Sequence, residues 1–457
     1  MKKLLFALLL LGAGRETRPN ILVLIADDWG YGHAGVYGDK VVRTPTFDQL
    51  ASEGVLFQRA FCASPSCTPS RAALLTGQHI HRLRDSGNLW STLSPKIDVY
   101  PDLLEKQGYT VGLRGKGWGP GDFKADGRAR NPAGPNVKDF GDFLKGVPAD
   151  NPFCFWFGSS DPHRAYEKGS GAKSGLKAED VVVPPYFPDT PDVRNDILDY
   201  YFEVQRFDRD CADLLKTLEA SGRAADTIVV VTSDNGMPFP RCKANVYDSG
   251  TRMPLAIRWT SKIKPRVVDA LVSHTDLAPT FLEAAGLPVP PEMTGRSLLP
   301  LLKGEAQERS RVFFGRERHA NVRQGDLSYP CRVIRTADFA YVRNLRPDRW
   351  PGGDPEQYFA VGPFGDCDNG PTKDVVLSDR ACASFQGAFG KRPEEELFDL
   401  GKDPHQLKNL AADPTYAEVK AKLRAELDAW LKETGDPRAL DPASDVFDKY
   451  PYHGKRG

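Results

Sequence analysis

The chain has 457 residues, too many for one small core, so a large α/β unit with an appendage or two to three ordinary domains is expected. Its 61 lysines and arginines balance 61 aspartates and glutamates, which leaves no global field to gather nucleic acid or an anionic membrane; any anion site must be local. With 42 Gly and 37 Pro, tight connections are too numerous for a helical bundle, and long loops on a rigid scaffold are expected.

At the start, Lys2 and Lys3 precede an apolar stretch from Leu4 to Leu11 and the small residues Gly12, Ala13 and Gly14, the pattern of an export signal over residues 1–14. The stretch is too short to cross a bilayer, no cysteine follows it to carry a lipid, and no later run is long and apolar enough to span. A periplasmic or extracellular protein with no transmembrane segment is expected. Asn20 then opens a run that is apolar at every position to Ala26, as in a strand covered on both faces, and it stops at Asp27-Asp28-Trp29-Gly30. Helices are expected over 46–53, 70–76, 100–107 and 195–221, the last with Tyr200, Tyr201, Val204, Phe207, Leu214 and Leu218 on one stripe. Short apolar runs at 110–113 and 153–157 supply strands, and 125–137, rich in Gly, Arg and Pro, reads as a loop. A second wholly apolar strand at 227–232 ends in Ser233-Asp234-Asn235-Gly236. Two buried strands that both end in acidic, Gly-punctuated turns predict a doubly wound, mostly parallel sheet with a site at its carboxyl edge.

From about Leu327 the pattern changes to short alternating runs at 331–334 and 339–342, which predict a small antiparallel sheet. A Gly/Pro/Asp-rich excursion follows over 349–379, and Tyr416, Val419, Leu423, Leu427 and Trp430 then mark one face of a terminal helix. The expected units are therefore 19–326, catalytic, and 327–457, a smaller α+β subdomain. Eight cysteines in an exported chain permit bridges, and Cys367 with Cys382 is the leading pair.

The stretch that carries the chemistry is Cys67-Thr68-Pro69-Ser70-Arg71, followed by Ala72-Ala73-Leu74-Leu75-Thr76-Gly77. A cysteine at a helix mouth, four residues before an arginine, is expected to have a lowered thiol pKa. C-x-P-S-R followed by A-x-L-L-T-G resembles the signature of the formylglycine sulfatases, in which this cysteine is oxidised to an aldehyde. Separated positions agree with that family: Asp27 and Asp28 match its first pair of metal ligands and Asp234 and Asn235 the second. Lys116 in G-K-G, His163 in D-P-H-R, and Lys243 four residues before Tyr247 match its sulfate-contacting residues. Glu396-Leu397-Phe398-Asp399-Leu400 resembles its closing strand. Asp161-Pro162-His163-Arg164, the run 233–240 and Ser328-Tyr329-Pro330 are most similar in wording to the sulfamidases, the heparan N-sulfatases.

The resemblance implies an alkaline-phosphatase-like fold, a sulfated saccharide substrate, and maturation of Cys67 by a formylglycine-generating enzyme. Asp27, Asp28, Asp234 and Asn235 with the converted Cys67 would form an all-oxygen shell suited to a hard cation, calcium first. Because neighbouring residues of a strand point oppositely, Asp27 and Asp28 can converge only where the strand has ended. The resemblance further implies Asp234 as proton acceptor, Arg71, Lys116 and Lys243 as cations on the sulfuryl oxygens and the aldehyde hydrate, and His163 as general acid. Asp161, Arg164, Glu317 and His319 are candidate substrate contacts.

The chain departs from the pattern in places. Where many members carry a histidine two residues after the lysine, it has Trp118, whose indole can donate but not act as a base; stacking on a pyranose face is the alternative role. Sulfamidases tend to have Arg at the place of Lys243, and the run 315–319 also differs from theirs. N-sulfoglucosamine is therefore the leading substrate beside three alternatives: an O-sulfatase of another polysaccharide, a phosphodiesterase or phosphonate hydrolase of the same superfamily, and a non-catalytic binder of sulfated glycans. A homodimer is left open.

Overall fold

The computed structural model describes residues 18–306, 309–356 and 362–454, so the expected export signal at 1–14 lies outside the described residues. The larger sheet has seven strands: β1 Asn20–Ala26, β2 Val55–Phe61, β3 Thr110–Gly115, β4 Phe153–Gly158, β5 Thr227–Ser233, β6 Arg252–Arg258 and β7 Arg266–Ser273. Their order is β3-β4-β1-β5-β6-β2-β7, with β6 alone antiparallel to its neighbours. β1 and β5 are buried at every residue. Ile21, Val23 and Ile25 enter the core on one face of the sheet and Leu22, Leu24 and Ala26 the core on the other, which is why neither run alternates with polar residues. Helix Pro191–Ala220 closes the second face with the stripe of Tyr200, Tyr201, Val204, Phe207, Leu214 and Leu218.

The smaller sheet is antiparallel, in the order β11-β10-β9-β8, from β8 Arg311–Arg316, β9 Cys331–Thr336, β10 Phe339–Asn344 and β11 Glu395–Asp399. β8 precedes residue 326, so this sheet takes one strand from the stretch expected in the catalytic unit. Strand alternation gives the sheet two apolar faces. Val333, Val342 and Phe398 pack with Phe61 and Tyr247 of the larger unit, while Ile334, Tyr341 and Leu397 are covered by Leu423, Leu427 and Leu431 of helix Ala417–Glu433. Each of those leucines contributes about 2 kcal/mol by burial. The excursion 349–379 is not all loop, since Pro371–Ser378 is a helix that packs on the long helix.

All eight cysteines are free thiols, including Cys367 and Cys382. Cys382 instead caps a helix, its Sγ accepting from the Phe385 amide. The expected bridge is therefore corrected: Cys367 is buried in an aromatic cluster while Cys382 serves the cap. No helix among the described residues is long and apolar enough to cross a membrane.

Candidate active site

The site forms where β1 and β5 end side by side. In their parallel register Ala26 is level with Ser233, so Asp27 and Asp234 leave the sheet as neighbours. Asp28 then takes a left-handed backbone (φ 77°), and its amide donates to Asp234 Oδ1 at 3.0 Å. This turn lets two adjacent aspartates face one point. Helix Cys67–Thr76 brings its first residue to the same point. Cys67 and Arg71, four apart, share a helix face, and Ser70 Oγ fastens the helix to the Asp234 carbonyl at 2.5 Å. Cys67 Sγ lies 3.5 Å from Asp27 Oδ1 and 4.0 Å from Asp28 Oδ1.

Each carboxylate has its own cation. Lys116 Nζ reaches both oxygens of Asp27 at 2.7 and 2.6 Å, Lys243 Nζ reaches Asp28 Oδ2 at 2.8 Å, and Arg71 Nε reaches Asp234 Oδ2 at 2.7 Å. Arg71 also donates to the carbonyls of Lys116 and Gly117, which pins the loop after β3. That loop passes so close to the end of β4 that a Cβ on Gly158 would lie 1.7 Å from the Lys116 carbonyl oxygen; glycine is required there. His163 Nδ1 is 2.6 Å from the Arg164 carbonyl oxygen, an acceptor, so Nδ1 carries the proton and Nε2 faces the cluster, 3.8 Å from Asp28 Oδ2.

Burial pushes the Asp27 carboxyl up, but Lys116, Arg71, His163 and Lys243 together pull it well below the usual carboxylate range. Asp28 is raised by burial, which Lys243 and His163 only partly offset. The Cys67 thiol is raised well above its ordinary value, again by burial, with Asp27 and Asp234 adding to it against Lys116 and Lys243. The lowered thiol expected from a helix mouth is thereby corrected: burial, with Asp27 and Asp234 adding to it, raises it. Asp234, expected as proton acceptor, already receives Arg71 and the amides of Asp28 and Asn235; the carboxylate oxygen nearest Sγ belongs to Asp27.

Other expected contacts lie elsewhere. Glu317 is buried between Arg332 (2.7 Å) and Arg438 (2.7 and 2.9 Å), so its charge is consumed in the protein interior. Arg164 grips both oxygens of Asp196 and stacks on Tyr166 and Phe239, holding the His163 loop rather than facing solvent. Trp118 is buried, donates from its indole to Ser86 Oγ and is tied by its backbone to Asn131, which removes it from any sugar-stacking role. Asp161 pairs with Arg206, while its carbonyl receives the Asp27 amide. His319 bonds Ser66 Oγ at 2.8 Å beside the helix start and is pushed by burial down to about 3, a neutral ring. One residue of the cluster was not expected at all: Asp368, whose Oδ2 is 3.1 Å from Lys243 Nζ. It lies in the unpatterned excursion, where no motif marks it.

Residues 19–287 match the sulfatase family, and residues 242–350 match the region described as N-sulphoglucosamine sulphohydrolase, C-terminal. The human protein N-sulphoglucosamine sulphohydrolase is 32% identical over 95% of this chain and 94% of its own length. The chain belongs to the sulfatase family. It is a hydrolase of sulfuric esters or sulfamates with an alkaline-phosphatase-like fold. An ulvan-active sulfatase of Formosa agariphila is 29% identical over 92% of the chain and 81% of its own length. A protein solved with its substrate D-glucosamine-2-N,6-O-disulfate shares the fold at a TM-score of 0.67 and 20% identity, over 95% of this chain and all of its own.

In this sulfatase the donor set suits a divalent cation. Ligand atoms of Asp27, Asp28, Cys67 and Asp234 lie within 4.8 Å of one another, and the buried Asn235 Oδ1 has no hydrogen-bond partner. Counting Asp368, four carboxylates face the three permanent cations Arg71, Lys116 and Lys243, an excess negative charge that would repel a sulfate; a divalent cation reverses it. For the misplaced contact a stability effect follows. Glu317→Ala leaves Arg438 and Arg332 short of their buried partner and is expected to cost about 3–5 kcal/mol in urea unfolding, while KM for a small aryl sulfate stays near the parent value. A raised KM with unaltered stability would return Glu317 to the substrate site.

Proposed function

We propose that this sulfatase is an exported, calcium-dependent enzyme that removes sulfate from a sugar, with N-sulfoglucosamine as its leading substrate, using formylglycine made from Cys67. The observation that carries the chemistry is the convergence of Asp27, Asp28, Asp234 and Cys67 on one point ringed by Lys116, Lys243 and His163. The human relative, similar over nearly the whole chain, and the match over residues 242–350 support the sugar.

A cation held by Asp27, Asp28, Asp234 and Asn235 supplies Lewis-acid polarisation of the sulfuryl oxygens, and formylglycine at position 67 supplies a hydroxyl nucleophile that ordinary serine or cysteine chemistry cannot regenerate as readily. The chain's own groups do the rest. Lys116 and Lys243 take the charge that develops on the transferring oxygens, from positions that Asp27, Asp28 and Asp368 hold in place. Arg71 positions both Asp234 and the loop that carries Lys116. The nucleophile's proton passes to Asp27, whose Oδ1 is the carboxylate oxygen nearest position 67, and His163, with Nδ1–H kept on the Arg164 carbonyl, would as an imidazolium give a second proton from Nε2 to the departing oxygen or nitrogen.

The test is a substrate panel: N-sulfoglucosamine, glucosamine 3-O-sulfate and 6-O-sulfate, an aryl sulfate and an aryl phosphodiester. The highest kcat/KM is expected for the N-sulfated sugar. Preference for an O-sulfated sugar would move the substrate, and preference for the phosphodiester would overturn the sulfatase chemistry proposed for the site. Binding without turnover in the panel would favour the glycan-binding reading.

A further inference from the structure

The three most exposed side chains of the cluster are His163, 33% exposed, Asp368, 24%, and Lys116, 23%; Lys243 and Asp27 are nearly buried, and Asp28, Asp234 and Arg71 fully so. These three face the solvent side of the site, and, with His163 as the proposed proton donor, that is the side on which the leaving group would depart. A carboxylate at that mouth is out of place in a pocket for sulfate. Its Oδ2 is held by Lys243, but no hydrogen bond reaches its Oδ1 among the described residues. The Lys243 ammonium at 3.1 Å pairs with it as a carboxylate, which can only accept hydrogen bonds.

The backbone that carries it is fixed on both sides. Asp366 sits buried between Arg316 and Arg323, and Lys373 Nζ, at the next helix, bonds the Cys367 carbonyl at 2.8 Å and Asn369 Oδ1 at 3.0 Å. Thr372 anchors that helix to Asp196, the same carboxylate that Arg164 grips below His163. Asp368 and His163 are thus set relative to one another through shared supports, and their ligand atoms lie within 4.8 Å together with Asp28. Lys243 lies between Asp28 and Asp368 and already supplies a cation there.

We propose that Asp368 determines specificity: it accepts hydrogen bonds from hydroxyl groups of the sugar that carries the sulfate, and its charge turns away sugars with a second anionic group at that place. The inference rests on the carbohydrate sulfatase reading. Lys243 takes Oδ2, and the free Oδ1 of a carboxylate that would otherwise repel sulfate points to a donor on the substrate, for which sugar hydroxyls are the groups at hand. A charged acceptor is worth roughly 10–100-fold in affinity when a hydroxyl pairs with it.

Kinetics of Asp368→Asn and Asp368→Ala decide the matter, with a monosulfated glucosamine, a disulfated glucosamine and an aryl sulfate that has no hydroxyls. For the monosulfated sugar, kcat/KM should fall roughly 10–100-fold further than for the aryl sulfate, chiefly through KM, and the disulfated sugar should gain relative to it. Equal losses on sugar and aryl sulfate would mean that Asp368 acts only by positioning Lys243, which overturns the proposal and leaves the functional reading intact. Parent enzyme that turns over aryl sulfate and no sulfated sugar would overturn both.

Discussion

Cys67→Ala is expected to lower kcat on an aryl sulfate by roughly 10^4–10^6-fold, the range seen when a nucleophile is removed from an otherwise intact site. The residue stands at the first turn of helix Cys67–Thr76, and the helix is fastened by Ser70 and Arg71, not by the thiol. Losing Sγ therefore removes only two long contacts, to Asp27 and Asp28, and should cost about 1 kcal/mol of stability. Activity and folding separate cleanly in this variant. The large effect comes from losing the side chain that is to become the nucleophile; the thiol itself, raised by burial, is a poor thiolate nucleophile, so an unconverted cysteine has little to offer. Mass spectrometry of the peptide across Cys67 in active protein should show a loss of roughly 18 Da, SH2 replaced by O. Active protein with an intact thiol would sink the formylglycine mechanism, as would a Cys67→Ala protein that still turns over.

What the sequence revealed follows from what each element buries. β1 and β5 are legible because both faces of the sheet are covered there, and their acidic ends mark the site. β6 carries Pro254 in its interior, a residue that argues against a strand when no structure is at hand. β2 has Gln58 and Arg59 at the point where its register shifts, and β7 lies at the sheet edge with five of its eight residues open to solvent, so neither shows a clean period. Similar reasons separate the site residues. The resemblance to the sulfatase signature pointed to Asp27, Asp28, Cys67, Arg71, Lys116, His163, Asp234, Asn235 and Lys243, which the structure gathers at the carboxyl edge of one sheet. Sequence reasoning misjudged Trp118, Arg164 and Glu317, whose polar groups are spent on Ser86, Asp196 and two arginines far away in sequence. Asp368 was invisible for the opposite reason: its place is set by the packing of a loop-rich excursion around Phe364, Cys367 and Phe389, and not by any local pattern.

Removal of divalent cation should produce the second large effect, on activity and stability together. Asp27, Asp28 and Asp234 are buried within a few ångströms of one another, and Asn235 Oδ1 lacks any partner in the protein. Arg71, Lys116 and Lys243 each neutralise one carboxylate, yet Asp28 is still raised by burial, a sign that the positive charge supplied by the protein is insufficient there. A cation that binds only the folded state stabilises it by roughly 4 kcal/mol at a thousand times its Kd, so chelation should lower Tm by several degrees. Loss of turnover should be larger, roughly 100-fold or more, because the pocket reverts to a net negative charge that repels the substrate's sulfate. Calcium should restore both quantities better than magnesium, since a shell drawn from several side-chain oxygens suits the larger, more flexibly coordinated ion. Protein shown by elemental analysis to be free of divalent metal, but with unchanged Tm and kcat, would overturn the assignment of Asp27, Asp28, Asp234 and Asn235 as ligands. Restoration by magnesium alone would keep the ligands and replace the ion.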